Sequence, residues 1–212
     1  MIRPKAMSTK PNESKLIDAQ RLRSEVEKLY ARVSTEPDEQ FHFHRGIDYA
    51  VDRLLYDRSE LEALPVRATE VFAGVANPHI IEPLRNGEKV LDVGCGGGTD
   101  LLLAACHVGS TGRAIGVDTT EQMLDRCKTA AEQCGMFHVD VRFGDAENLP
   151  IESDSVDVVI SNGVLNLVPD KGKAFREMHR VLRPGGRLLF GDIVVGFKLP
   201  AALSCNIDLW TA

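Results

Sequence analysis

Residues 90–100, Val-Leu-Asp-Val-Gly-Cys-Gly-Gly-Gly-Thr-Asp, constrain the fold more than any other part of this 212-residue chain. An apolar run halts at glycines and resumes as an apolar helix from Thr99. Val90, Leu91 and Val93 suit a strand buried on both faces, as parallel strands of α/β sheets are. Gly94 permits a tight turn and Gly96 lets a ligand lie against bare backbone. Thr99 opens a helix whose free N–H groups favour an anionic ligand group. A nucleotide-type ligand is therefore expected here.

Downstream the pattern repeats. Gly112 to Val117 reads as a second buried strand, with Asp118 at its end and Thr119-Thr120-Glu121-Gln122 as a capping box. A carboxylate at that place can accept hydrogen bonds from both ribose hydroxyls of a nucleotide, and it can equally serve as a helix-start residue. A third strand, Val139 to Phe143, runs into Gly144-Asp145-Ala146. A fourth, Val156 to Ile160, ends at Ser161-Asn162-Gly163, and a fifth, Arg187 to Val195, follows Arg183-Pro184-Gly185-Gly186. Strand runs alternating with helical patterns from Glu88 onward predict a doubly wound parallel sheet. The helix after Thr119 places Met123, Leu124, Cys127, Ala130, Ala131 and Cys134 on one stripe, so both cysteines read as core; Cys95 and Cys106 read as structural too.

Before this domain, which is expected to span 77–212, the chain reads as a leader without order (1–13) and a helical cap (14–76). Leu22, Val26, Leu29, Tyr30 and Val33 recur at helical spacing and predict a packing helix. Ile47, Val51, Leu54 and Leu55 predict a second helix, Ser59-Glu60-Leu61-Glu62 a capped third, and Asn77-Pro78 the start of a short helix. Between the first two, Phe41-His42-Phe43-His44 sits in a loop. Its histidines read as solvated or hydrogen-bonded groups, or as part of an active-site cover. Two imidazoles without a third ligand do not make a metal site, and no metal is expected. With 43% apolar residues the chain suits one α/β domain plus an appendage. A net charge of −6 argues against nucleic-acid or anionic-membrane partners and for a small-molecule substrate. The N-terminus has no signal-peptide core, no stretch is long enough to span a bilayer, and the uneven cysteines point to a reducing cytoplasm.

The glycine spacing decides between nucleotides. The dinucleotide fingerprint wants Gly or Ala three residues after its second glycine, where this chain has Thr99, which disfavours NAD. Asp92 followed by Gly94, Gly96 and Gly98 resembles the D-x-G-x-G-x-G motif of class I S-adenosylmethionine (SAM) methyltransferases. The run from Val90 to Ile193 is similar to arsenite methyltransferases, above all in Ser161 to Asp170, Phe175-Arg176-Glu177-Met178 and Arg183 to Gly186. Ubiquinone and menaquinone C-methyltransferases are wider relatives. The resemblance implies a Rossmann-like, doubly wound and mostly parallel sheet that holds SAM as cofactor. It implies cofactor contacts from Asp92, Gly94, Cys95, Gly96, Gly98, Asp118, Thr119, Met123, Asp145, Ala146 and Ser161, with Asp145 accepting from the adenine amino group.

Two departures bear on the substrate and the assembly. Arsenite methyltransferases carry a cysteine where this chain has Gly163, and Cys205 does not match a further family cysteine by context. The resemblance thus supports the methyl-donor site and not the arsenic. Methyl transfer is a direct displacement, so the protein has mainly to bind SAM, align a nucleophile and exclude water. Asn162 and Asn166 are candidates for the reacting end, as are His42 and His44 if the cap covers the pocket; both asparagines also fit strand-end or helix-cap roles. A nucleotide-sugar or NAD-linked enzyme and a non-catalytic SAM-binding protein remain the alternatives. The family's sheet continues past the fifth strand with a helix and an antiparallel strand pair, and that pair is expected to be missing here, since the sequence stops at Ala212. A helix carrying Leu203, Ile207 and Trp210 is expected, and with it either a truncated enzyme or self-association through the edge strand 187–195. A complete five-stranded variant is the third possibility.

Overall fold

The computed structural model describes residues 18–196 and Trp210. The expected leader (1–13), Cys205 and, apart from Trp210, the expected C-terminal helix with Leu203 and Ile207 lie outside the described residues. Five strands form one sheet in the order β3-β2-β1-β4-β5: β1 Lys89–Val93, β2 Arg113–Asp118, β3 Val139–Phe143, β4 Val156–Asn162 and β5 Leu182–Gly191. Every pairing among these described strands is parallel, as expected of a doubly wound sheet. β1 is central, with Leu91 level with Ile115 on one side and Val159 on the other.

Alternation along β1 explains the layers. Leu91 and Val93 join Ile115, Val117 and Val159 against Met178 and Val181 of helix α7 (Lys171–Val181). Val90 points the other way, into a cluster with Ala104 and Val108 of helix α5 (Thr99–Val108). Helices therefore cover both faces; the central strands β1 and β4 are buried almost along their length, while the edge strand β3, Val-Asp-Val-Arg-Phe, alternates and is only partly buried. The chain winds from β1 to β2 and β3 in one direction and to β4 and β5 in the other. That reversal leaves a crevice at the carboxyl ends of β1 and β4, the switch point at which ligands bind in open α/β sheets.

Ahead of β1 come α1 (Ala19–Thr35), α2 (Gly46–Leu54), α3 (Arg58–Glu62) and α4 (Val66–Thr69). Ala50, Tyr56, Leu61, Leu64, Ala68 and Phe72 pack with Leu102 and Leu103 of α5 and with Ala130 and Ala131 of helix α6 (Glu121–Gln133). This is one shared core. A 3₁₀ turn at Pro78–Ile80 starts at Asn77, whose Oδ1 accepts from His79 N at 3.0 Å.

Several expectations are corrected. β5 begins at Leu182, not Arg187: Leu182 pairs with Val156 and Arg187 with Val158, so Arg183 to Gly186 bulge out, with Gly185 at φ +80°. It also stops at Gly191. Asp192 turns to accept the Asn166 N–H at 3.1 and 3.2 Å, which draws the chain off the sheet, and Ile193, Val194 and Val195 follow as exposed coil. α3 is capped by Asp57, not Ser59, because the carboxylate accepts from both Ser59 N (2.8 Å) and Glu60 N (3.1 Å) and favours the positive helix end. α6 starts from Thr120 with no side-chain cap; Asp118 Oδ1 takes the Thr120 N–H at 2.8 Å instead of Thr119. Cys134 stands just past the end of α6 and is only half-buried, and Cys106 is exposed.

Gly116 lies where the sheet meets α5. A methyl group there would come within 2.6 Å of Leu101 Cδ2 and 2.7 Å of Cys95 Sγ. Gly116→Ala is expected to destabilise the fold by about 1–3 kcal/mol through overpacking, read as a lower urea midpoint with an unchanged slope.

Candidate active site

The crevice is a cavity of about 370 Å³ bounded by the carboxyl ends of β1, β2, β3 and β4, the segment 71–74 and helix α1. Its floor is the glycine loop. Gly94 N and Cys95 N both donate to Val117 O, at 2.8 and 3.1 Å, which ties the loop after β1 to the end of β2. Gly94 adopts φ +77°, and a Cβ on it would stand 2.2 Å from Val164 Cγ2. Gly96, at φ +50°, would meet nothing within 4 Å. One glycine is required by a close neighbour; the other leaves its backbone open.

Negative charge collects around this floor. Asp118 Oδ2 accepts from Gly96 N at 2.9 Å and Oδ1 from Thr120 N at 2.8 Å, and the Thr120 hydroxyl and Thr119 N–H also bond this carboxylate. Burial pushes its carboxyl above the usual range, opposed by those N–H groups. Asp92 is 2% exposed, and its Oδ2 has no hydrogen-bond partner among the described residues. Burial first, then the charges of Asp100 and Asp118, hold its carboxyl well above the ordinary value. A buried carboxylate oxygen without a partner is costly. It fits a ligand that brings a donor or a positive charge.

The remaining expected contacts are spread over three situations. Cys95, Thr119, Met123, Asp145 and Ala146 line the cavity together with Asp92, Gly94, Gly96 and Asp118. Gly98 does not line it; it starts α5 in a left-handed conformation. Ser161 lies behind the wall, 1% exposed, with Oγ donating to Val93 O at 3.0 Å.

Asn162 lines the cavity, but its amide is occupied. Oδ1 accepts from Val75 N (2.8 Å) and Ala76 N (3.0 Å), while Nδ2 donates toward Ala76 O (2.7 Å), Asp100 Oδ2 (3.0 Å) and Tyr56 OH (3.1 Å). Tyr56 OH in turn donates to Asp100 Oδ1 at 2.6 Å, and His79 Nε2 lies 3.1 Å from the same oxygen. Burial and the Asp100 charge drive the Tyr56 phenol far above its ordinary pKa, so it stays protonated and neutral. Through this network Asn162 pins the 74–76 segment as a wall.

Asn166, His42 and His44 are not brought to the cavity. Asn166 binds Asp192 through its backbone. His42 stands edge-on to Phe43 at 5.0 Å and His44 stacks on Tyr49 at 5.2 Å, both exposed. Helix α1 covers the cavity in place of their loop, with Arg23, Val26, Glu27 and Tyr30 lining it. Tyr30 escaped the sequence reading because a tyrosine in an apolar stripe looks like packing; its polar tip was the available signal. Burial, then the charges of Asp118 and Asp192, push its phenol up to about 12. Among the described residues no three His, Cys, Asp or Glu side chains gather as a metal site.

The raised Asp92 pKa has a definite sign. The folded state holds this proton more tightly than the unfolded chain, so the stability it contributes is present at acid pH and is lost as pH rises through the raised value. Asp92→Asn is therefore expected to stabilise the ligand-free protein at neutral pH, by about 1–3 kcal/mol, and to flatten the loss of Tm between mildly acid and neutral pH. Thermal unfolding against pH checks it.

Comparisons with known proteins follow the same geometry. Residues 84–210 match a family described as "Methyltransferase domain". The arsenite methyltransferase of Halobacterium salinarum is 38% identical over 160 residues, which are 76% of this chain and 41% of that protein. The demethylmenaquinone methyltransferase of Staphylococcus aureus is 43% identical over 108 residues, 50% of this chain and 43% of that protein. The crystal structure of CrArsM, an arsenic(III) S-adenosylmethionine methyltransferase from Chlamydomonas reinhardtii, is 36% identical with a TM-score of 0.61, covering 69% of this chain and 51% of that one. The chain thus spans about two-fifths of the length of these curated relatives.

Proposed function

The chain belongs to the methyltransferase-domain family, and on that premise we propose that it transfers the methyl group of SAM to a small, uncharged acceptor. The observation that carries this reading is that Asp92, whose Oδ2 has no partner among the described residues, and Gly96, with open space where a Cβ would stand, line one cavity. SAM is cationic at its sulfonium and amino groups, and it supplies the electrophilic methyl carbon. In this proposal Asp118 accepts from the ribose hydroxyls, Asp145 from the adenine amino group, and the 94–96 loop with Asp92 holds the amino-acid end. Asn162 and Asp100 act through the wall they pin at 74–76, and α1 keeps water out.

The acceptor class follows from the walls. Val71, Phe72, Val164 and Leu167 are apolar, and the one basic side chain among the described lining residues, Arg23, is engaged by Asp145 and Glu147. An anionic acceptor would find no free cation there. A soft arsenic ion would find too few thiols: Gly163 has none, and a Cβ placed on it would face Val75 Cγ1 at 3.3 Å. Cys95 lines the cavity but is buried, with its thiol pKa raised. A reducing cytoplasm is the setting we propose, supported by the unpaired Cys95, Cys106, Cys127 and Cys134.

Conversion of SAM to S-adenosylhomocysteine over a panel of phenolic, quinol, thiol and arsenical acceptors tests the reading. Turnover is expected with an uncharged organic acceptor, and arsenite turnover is expected to be absent or far slower than in an arsenite methyltransferase assayed alongside. Equal arsenite rates would overturn the acceptor assignment, and SAM binding without turnover on any acceptor would favour a non-catalytic SAM-binding protein.

A further inference from the structure

Helix α1 is held differently at its two ends. At the C-terminal end Ser34 is buried and its Oγ donates to Gln122 O at 3.0 Å. Arg126 of α6 donates to Ser34 O (2.7 Å), Arg67 O (2.9 Å) and Glu70 Oε1 (2.5 Å), and Val33 packs with Val71 and Met123. That end is built into the body of the protein. Along the middle, Val26, Glu27 and Tyr30 face the cavity. At the N-terminal end, next to the buried Leu22, Arg23 Nε donates to Asp145 Oδ2 at 3.1 Å and Nη2 to Glu147 Oε2 at 2.6 Å. Arg23 and Asp145 both line the cavity, so this pair ties the helix across it to the loop after β3.

We propose that α1 is a lid over the SAM site, hinged at Ser34 and Arg126 and latched by Arg23 on Asp145 and Glu147. An exposed ion pair would be too weak a latch. Here Glu147 is only 6% exposed, its Oε1 accepts from Asp170 N at 3.0 Å, and Arg23 is its one cation among the described residues. Opening the lid strands that carboxylate with a single hydrogen bond and uncovers Leu22, so the closed state dominates. Arg23 has a second consequence: it fixes the orientation of Asp145, whose Oδ1 accepts from Glu147 N at 2.8 Å, and so presents that carboxylate to the adenine. Arg23 is thus a positioning residue whose release accompanies ligand entry and exit. The ligand half of this proposal rests on the SAM reading; the lid half does not.

The test uses the full chain with Arg23→Met, Arg23→Lys and Glu147→Gln. Hydrogen exchange without ligand reads the lid: Arg23→Met and Glu147→Gln should each speed exchange of amides 19–27 while amides 121–133 keep their protection, and the double variant should add little to either. Arg23→Lys should restore part of the protection. Rapid-mixing measurement of SAM release reads the latch on the ligand, with dissociation from Arg23→Met about tenfold faster or more. Unchanged exchange in 19–27, or loss of protection in 121–133 as well, overturns the lid. Unchanged SAM release alongside faster exchange overturns the latch on the ligand. Failure of the wild type to bind SAM overturns the proposed function and leaves the exchange result to decide the lid.

Discussion

The structure depends on the ends of β1 and β2 lying level. Val93 pairs with Val117, so Val117 O is in reach of two consecutive N–H groups of the glycine loop, and Asp118, one residue on, meets Gly96 N. A shift of one residue would turn Leu91 and Val93 out of their face of the sheet and carry both acceptors away from the loop. Register, core packing and the shape of the cavity floor are therefore one constraint. The close approach of Gly94 to Val164 then joins β4 to the same floor.

What that floor collects is unbalanced charge. Asp92, Asp100 and Asp118 stand close enough to raise the Asp92 pKa, and the protein neutralises them unequally. Asp100 receives a tyrosine, an asparagine and a histidine; Asp118 receives backbone N–H groups and the Thr120 hydroxyl; Asp92 Oδ2 receives no hydrogen bond from the described residues. Strain left at one oxygen while its neighbours are satisfied is the pattern of a site that trades stability for binding. The same network that quiets Asp100 shapes the wall, because Asn162 reaches from Asp100 to Val75 and Ala76. Gly74 is required in that wall, since a Cβ there would lie 2.2 Å from Asn162 Nδ2.

The parallel sheet and the floor were legible because they are written locally. Apolar runs broken at Gly94, Asp118 and Asp145 state both the strand and the place where it ends, and parallel strands bring their ends to one edge. The roof was not legible. Tyr30 and Arg23 meet the cavity only because α1 packs across residues far away in sequence, and nothing in a 3.6-residue stripe says which surface it will cover. Arg23 binds a carboxylate 122 residues away. The loop with His42 and His44 drew attention by residue type alone, yet its rings found nearer aromatic partners. The bulge at Arg183 to Gly186 and the cap at Asp57 were missed for the opposite reason: local competition decided them, between two registers for β5 and between a carboxylate and a hydroxyl for the start of α3.

The central claim is that this arrangement of an open glycine backbone, an unpartnered Asp92 and an accepting Asp118 is a SAM site. Calorimetric titration of the wild-type chain with SAM, S-adenosylhomocysteine and NAD tests it most directly. The account predicts saturable one-to-one binding of SAM and of S-adenosylhomocysteine, mutually competitive, with no heat from NAD. No binding of SAM, or NAD displacing it from the same site, would contradict the account.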